Sequence, residues 1–124
     1  MGNGKEEKPY DLEERSLLFA KAVRAFLKTL PRTVANIEDG RQLIRAPAAV
    51  GANYIEANDA LSKKDSLLRA KISRREARES RFFLRLLDTR DRSEAEQTRQ
   101  GLVQEATELM YILSAMIRKA EGGQ

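Results

Sequence analysis

The 124-residue chain has no cysteine, no histidine and no tryptophan, and only three prolines. Without cysteine there is no disulfide, thiolate zinc site or cysteine nucleophile. Without histidine there is no imidazole base, no Ser-His-Asp triad and no histidine-ligated metal. No apolar run approaches the ~20 residues needed to cross a bilayer. The opening MGNGKEEKPY lacks the apolar segment of a signal peptide, and Glu6 stands where a myristoylation site needs Ser or Thr. The expectation is a cytoplasmic protein with no membrane span, no cofactor, no metal and no evident small-molecule substrate. No side chain stands out as a nucleophile or poised base, so the chain is expected not to be an enzyme.

Charge is abundant but unevenly spread. The whole chain carries 23 basic and 19 acidic side chains, a net +4. Residues 63–92 alone hold eleven basic and five acidic groups, while residues 93–124 hold three basic and five acidic. One quarter of the chain thus exceeds the entire net charge. Hydrophobic residues make up 41%, which argues against disorder throughout.

The apolar positions follow helical periods. Residues 1–9 read as a disordered tail. Asp11 is a suitable N-cap for a first helix with the seam Leu12, Ser16, Phe19, Val23, Phe26 and Leu30, stopped by Pro31. A second helix starts near Thr33, with the seam Val34, Ile37, Arg41, Ile44, Ala48, Gly51, Ile55 and Asn58. It contains Pro47, which predicts a kinked or locally irregular long helix rather than two separate ones. Ser62 and Asp65 resemble a capping pair opening a third helix with the seam Leu68, Ile72, Glu76, Glu79, Phe83 and Leu86. Ser93 to Glu96 form a capping box for a fourth, with the seam Leu102, Ala106, Leu109, Leu113 and Met116. No strand-like alternation competes. The reading is an all-α, up-down-up-down antiparallel four-helix bundle over residues 10–120, with a short C-terminal tail over 121–124.

Two features of the third helix bear on function. Lys71, Arg74, Arg78, Arg81 and Arg85 fall within one arc about 80° wide, a stripe about 21 Å long at 1.5 Å per residue. Such a row suits the phosphates of a nucleic-acid strand, and arginine suits bidentate phosphate contact. The plainer alternative is a solvated outer helix face. Glu76 and Glu79 fall in the expected core seam, where an unpaired carboxylate is costly. Pairing with Arg41 or Arg45 of the second helix would resolve this; so would a subunit interface or, less readily without histidine, a metal.

Several segments together resemble a four-helix-bundle family encoded within intervening sequences of bacterial 23S ribosomal RNA genes. They are Tyr10 to Arg15; Phe19-Ala20; Gln42 to Arg45; Val50 to Ala57; Ser62 to Asp65; Lys71-Ile72; Glu76-Ala77; and Glu79 to Leu87. The resemblance spans about residues 10–120. It implies a bundle that assembles as a ring, typically a homopentamer, and it extends to the accessory proteins of diversity-generating retroelements, which bind nucleic acid and a reverse transcriptase. Departures include Pro47 and the Phe82-Phe83 pair, which replaces Tyr-Trp. Ring assembly would bury Leu17, Leu18, Leu43, Val50 and Tyr54, which lie outside the main seams; widening of the bundle core is the alternative for Leu43 and Val50. The functional expectation is a non-enzymatic, oligomeric nucleic-acid-binding protein, with RNA the favoured polymer. The alternative is a scaffold docking an acidic or nucleic-acid-bound partner such as a reverse transcriptase.

Overall fold

The structure, a computed structural model, describes residues 11–122. The expected N-terminal tail, Tyr10 and the last two residues lie outside them. The described residues are helical and contain no strand. The elements are α1 (Leu12–Leu27), α2 (Val34–Leu43), α3 (Ala46–Asp59), α4 (Lys63–Leu86) and α5 (Ser93–Gly122). Glu121 and Gly122, expected in the C-terminal tail, are still helical. No helix among the described residues is long and apolar enough to cross a membrane.

Helix α1 forms as its periodicity predicts. The Asp11 carboxylate accepts the Glu13 N–H at 3.0 Å, and Glu13 and Glu14 sit at the positive end of the dipole. Leu12, Ser16, Phe19, Val23, Phe26 and Leu30 are all buried. Helix α5 likewise buries Leu102, Ala106, Leu109 and Leu113, with Ile117 rather than Met116 completing the line. The Ser93–Glu96 capping box does not form. Glu96 instead accepts from Thr89 Oγ1 and pairs with Arg99 at 2.5 Å, and the Arg99 guanidinium also donates to the carbonyls of Leu84 and Arg85 (both 3.2 Å) and Leu87 at the end of α4. A cation there complements the negative end of that helix.

The kink region resolves into two hydrogen-bonded helices. Pro47 has no N–H, and its ring crowds the carbonyl one turn earlier, that of Leu43, so the ladder breaks between α2 and α3. Ile44 and Arg45 nevertheless keep right-handed helical dihedrals. The Ile44 N–H reaches the Gly40 carbonyl at 2.9 Å, and the Ala49 N–H reaches the Arg45 carbonyl at 3.0 Å. The interruption is therefore a local irregularity with no loop inserted.

The inward faces of the middle helices differ from those expected. Across α2 and α3 the buried line is Asn36, Leu43, Pro47, Val50 and Ala57, while Val34 is 83% exposed and Ile37, Arg41, Ile44 and Ile55 face outward. On α4 the buried line is Ala70, Ser73, Ala77, Ser80 and Leu84. The cause is close helix approach, which only small residues permit. Ser73 Oγ donates to the Val50 carbonyl at 2.7 Å, so its side chain reaches the backbone of α3 directly. A Cβ on Gly51 would lie 2.5 Å from Ser16 Oγ, so a larger residue there would force Ser16 or the α1–α3 contact to shift.

One end of the bundle is closed by polar bonds. Buried Asn36 donates to the Pro31 and Asp88 carbonyls at 3.0 and 2.9 Å and accepts the Asp88 N–H at 2.9 Å. Arg92 donates to the Thr29 carbonyl at 2.6 Å. These bonds hold a turn in which Arg90 and Asp91 both adopt left-handed backbone, at φ 56° and 57°, a conformation costing non-glycine residues about 1 kcal/mol each.

Candidate nucleic-acid interface

The five stripe residues lie on α4 beside the boundary with α5, because the buried face of α4 turns toward small residues rather than toward Leu68 and Ile72. Arg74 and Arg81, nearest that boundary, are half-buried and donate to Ser114 Oγ at 3.3 Å and Thr107 Oγ1 at 3.4 Å. Lys71 is exposed and pairs with Glu121 at 2.7 Å, which holds the Glu121 carboxyl below its usual range. Arg78 and Arg85 are exposed. Among the described residues, Lys71 alone of the five forms an ion pair. The hydroxyl contacts orient Arg74 and Arg81 without neutralising them, Glu121 acts on Arg74 only at longer range, and the basic side chains outnumber their acidic neighbours along this side of the helix.

The expected buried polar cluster does not form. Arg41 is exposed and pairs only loosely with Glu38 on its own helix, at 3.9 Å, and Arg45 is exposed. Glu79 is exposed as well. Glu76 alone of the four is half-buried; burial, reinforced by the neighbouring Glu79 and opposed by Arg75, pushes its carboxyl above the usual range. The four placements follow from the rotated faces of α2, α3 and α4. No group of three or more acidic side chains among the described residues is arranged to hold a metal.

The raised Glu76 carboxyl has a checkable consequence. The native state holds this proton more tightly than the unfolded chain does. The cost of ionised Glu76 is therefore fully present above its folded-state pKa and disappears as pH falls below the ordinary carboxylate range of about 4. Glu76→Gln should raise stability at neutral pH by up to about 0.5 kcal/mol, the scale of half-exposed sites. Urea unfolding near pH 4 should show this advantage shrinking.

The expected interface residues divide. Leu17 and Leu18 are 46% and 47% exposed. Leu17 borders an apolar groove of about 400 Å³ between α1 and α3, floored by Ala48, Gly51 and Ala52. Leu43 and Val50, however, are fully buried in the chain's own core, and Tyr54 is half-buried against it. Those three serve the bundle, because the inward face of α2 and α3 runs through them.

The sequence patterns missed a different cluster. Arg15 on α1 reaches across to α5, where its Nε and Nη2 donate to Glu105 at 2.6 and 3.0 Å and its Nη2 also donates to Glu108 at 2.5 Å. Its partners lie 90 and 93 residues away, and nothing in the local pattern marks the three as neighbours.

Fold and surface together define a class: an all-helical bundle with one strongly cationic helix face. The chain is similar to a solved structure of a protein of unknown function from the S23 ribosomal protein family of Bacteroides thetaiotaomicron VPI-5482. The TM-score is 0.74 and the identity 25%, over 87% of this chain and 99% of that one. That family label accords loosely with the resemblance read from the sequence. No family model and no curated protein matches the chain.

Proposed function

We propose that this is a non-enzymatic, cytoplasmic, nucleic-acid-binding protein whose α4 stripe contacts the phosphate backbone. The observation that carries the reading is the line of Arg74, Arg78, Arg81 and Arg85, none of which forms an ion pair among the described residues. RNA is the polymer proposed, on the likeness to a member of the S23 ribosomal protein family. Each phosphate neutralised steepens the dependence of log affinity on log salt by about 0.7 on a single strand and about 0.9 on a duplex. Replacing Arg74, Arg78 and Arg81 by Glu should therefore weaken binding to structured RNA at least about tenfold at low salt and flatten that slope by about 2. A filter-binding or fluorescence-anisotropy series across salt reads both. No binding by the unaltered protein at low salt, or no effect of the three substitutions, defeats the reading. Capture of an acidic protein that survives nuclease would replace it with a scaffold role.

The same proposal includes an antiparallel four-helix arrangement, supported by the order of bonds between α4 and α5: Lys71 meets Glu121, Arg74 meets Ser114 and Arg81 meets Thr107. It also includes a ring-shaped homo-oligomer, a homopentamer by resemblance, supported by the exposed Leu17 and Leu18 beside the α1–α3 groove. Solution mass of the purified protein, with and without nuclease, tests the assembly; a monomeric mass in both conditions overturns it.

A further inference from the structure

Helix α4 carries a second periodic line, exposed except at half-buried Ile72. Leu68, Ile72, Arg75, Glu79, Phe82 and Leu86 recur at spacings of four, three, four, three and four. At 100° per residue they share one face, roughly 160° around the helix from the buried small residues. Leu68, Phe82 and Leu86 are 55%, 57% and 50% exposed. Phe82 is held in place edge-on against Phe83, with ring centroids 5.5 Å apart at 86°, and Phe83 packs on the core. Spacing of this kind is the seam of a coiled coil.

The seam reads alike from both ends: two apolar residues, two charged, two apolar, centred on residue 77. An antiparallel second copy sets Leu68 against Leu86, Ile72 against Phe82 and Arg75 against Glu79, and the twofold axis repeats each pairing. A parallel copy would instead stack Arg75 on Arg75 and Glu79 on Glu79, which is repulsive. Within the chain, neither Arg75 nor Glu79 forms an ion pair among the described residues, so both charges are available to a partner. We propose that this face of α4 is a homotypic docking surface, on which a second copy of the chain packs antiparallel through charge and apolar self-complementarity.

The geometry has a consequence for the basic stripe, about 100° around the helix from this seam. A twofold axis perpendicular to both helices keeps each stripe on the same side. The pair therefore presents both stripes on one continuous cationic face. This consequence, unlike the pairing itself, rests on the nucleic-acid reading.

The absence of cysteine makes cross-linking clean. Leu68→Cys and Leu86→Cys chains, nuclease-treated and oxidised, should yield disulfide-linked dimers when mixed and few when separate. Like positions in the pair lie about 27 Å apart along the helix, far beyond the roughly 7 Å that a disulfide tolerates between Cα atoms. Arg75→Glu or Glu79→Arg alone should weaken self-association by about tenfold, since two like-charge contacts replace two opposite ones; the double reversal should restore it in sedimentation equilibrium. A mixture no more cross-linked than either chain alone, or a double reversal that fails to restore association, overturns the pairing. Because nucleic acid is absent, neither result depends on whether the stripe binds RNA.

Discussion

Replacing Arg15 with alanine should cost about 2–3 kcal/mol in urea unfolding, a large effect for a residue on the first helix of a charged surface. Its side chain is only 11% exposed, and it forks onto Glu105 while also reaching Glu108, whose side chains are 17% and 32% exposed. The hydrogen bonds Arg15 donates to Glu105 lead the interactions that hold the guanidinium proton more tightly than usual, against the opposing effect of burial. Removing one partner of a fully buried pair costs about 3–5 kcal/mol, because the remaining charge loses its compensation. Glu108 can recover some hydration and Glu105 less, which lowers the expected figure. Arg15→Lys should fall between, keeping the charge but losing the planar fork that grips one carboxylate at two atoms. A loss below about 0.5 kcal/mol for Arg15→Ala would place the cluster among ordinary surface pairs.

How much of this was legible beforehand varies along the chain for physical reasons. In α1 and α5 the buried residues include the bulky ones that repeat with the helical period, so the period finds the inward face directly; Phe19, Val23, Leu109 and Leu113 all lie where the pattern puts them. The break at Pro47 was readable, because its chemistry acts on its own backbone and on the carbonyl one turn back, but the outcome is two helices, α2 and α3, rather than the single kinked helix expected. In α2, α3 and α4 the same method chooses the wrong side. The bulky residues Val34, Ile37, Leu68 and Leu86 are exposed, and the buried line sets Asn36, alanines and serines beside Leu43, Val50 and Leu84. A period reports where large apolar side chains repeat and is blind to a helix buried by virtue of being thin. The stripe was readable as a period, but its position beside α5 was not, since that depends on which way α4 faces. Arg15 with Glu105 and Glu108 was beyond local reading altogether: an ion cluster joined across 90 residues leaves no spacing to detect.

The thin face of α4 leads to an expectation that inverts the hydrophobic pattern. Ala77→Leu should destabilise the bundle by about 3 kcal/mol, the upper end for overpacking, while Leu68→Ala should cost less than about 1 kcal/mol. Ala77 is fully buried, and Ser73 and Ser80 one turn either side are fully buried too. The 2.7 Å bond from Ser73 to the α3 backbone leaves no depth between the helices for a longer side chain. Leucine adds three heavy atoms that either push α3 and α4 apart or force strained rotamers, and separating the helices would break that bond as well. Leu68, at 55% exposed, surrenders little apolar contact on truncation. The comparison is best made in dilute protein, so that association through the outer face of α4 adds nothing to the stability of the Leu68 side chain. Equal urea slopes for the variants with different midpoints would show a change in stability without a change in the surface exposed on unfolding. Ala77→Ser should lie close to the unaltered protein, because serine is what the neighbouring turns already carry and its hydroxyl can bond the carbonyl one turn back, as Ser80 does to Glu76 at 2.8 Å. If leucine at position 77 were neutral and Leu68→Ala severe, the buried face of α4 would be the one its hydrophobic period names, and the close contact of α3 with α4 would have to be abandoned.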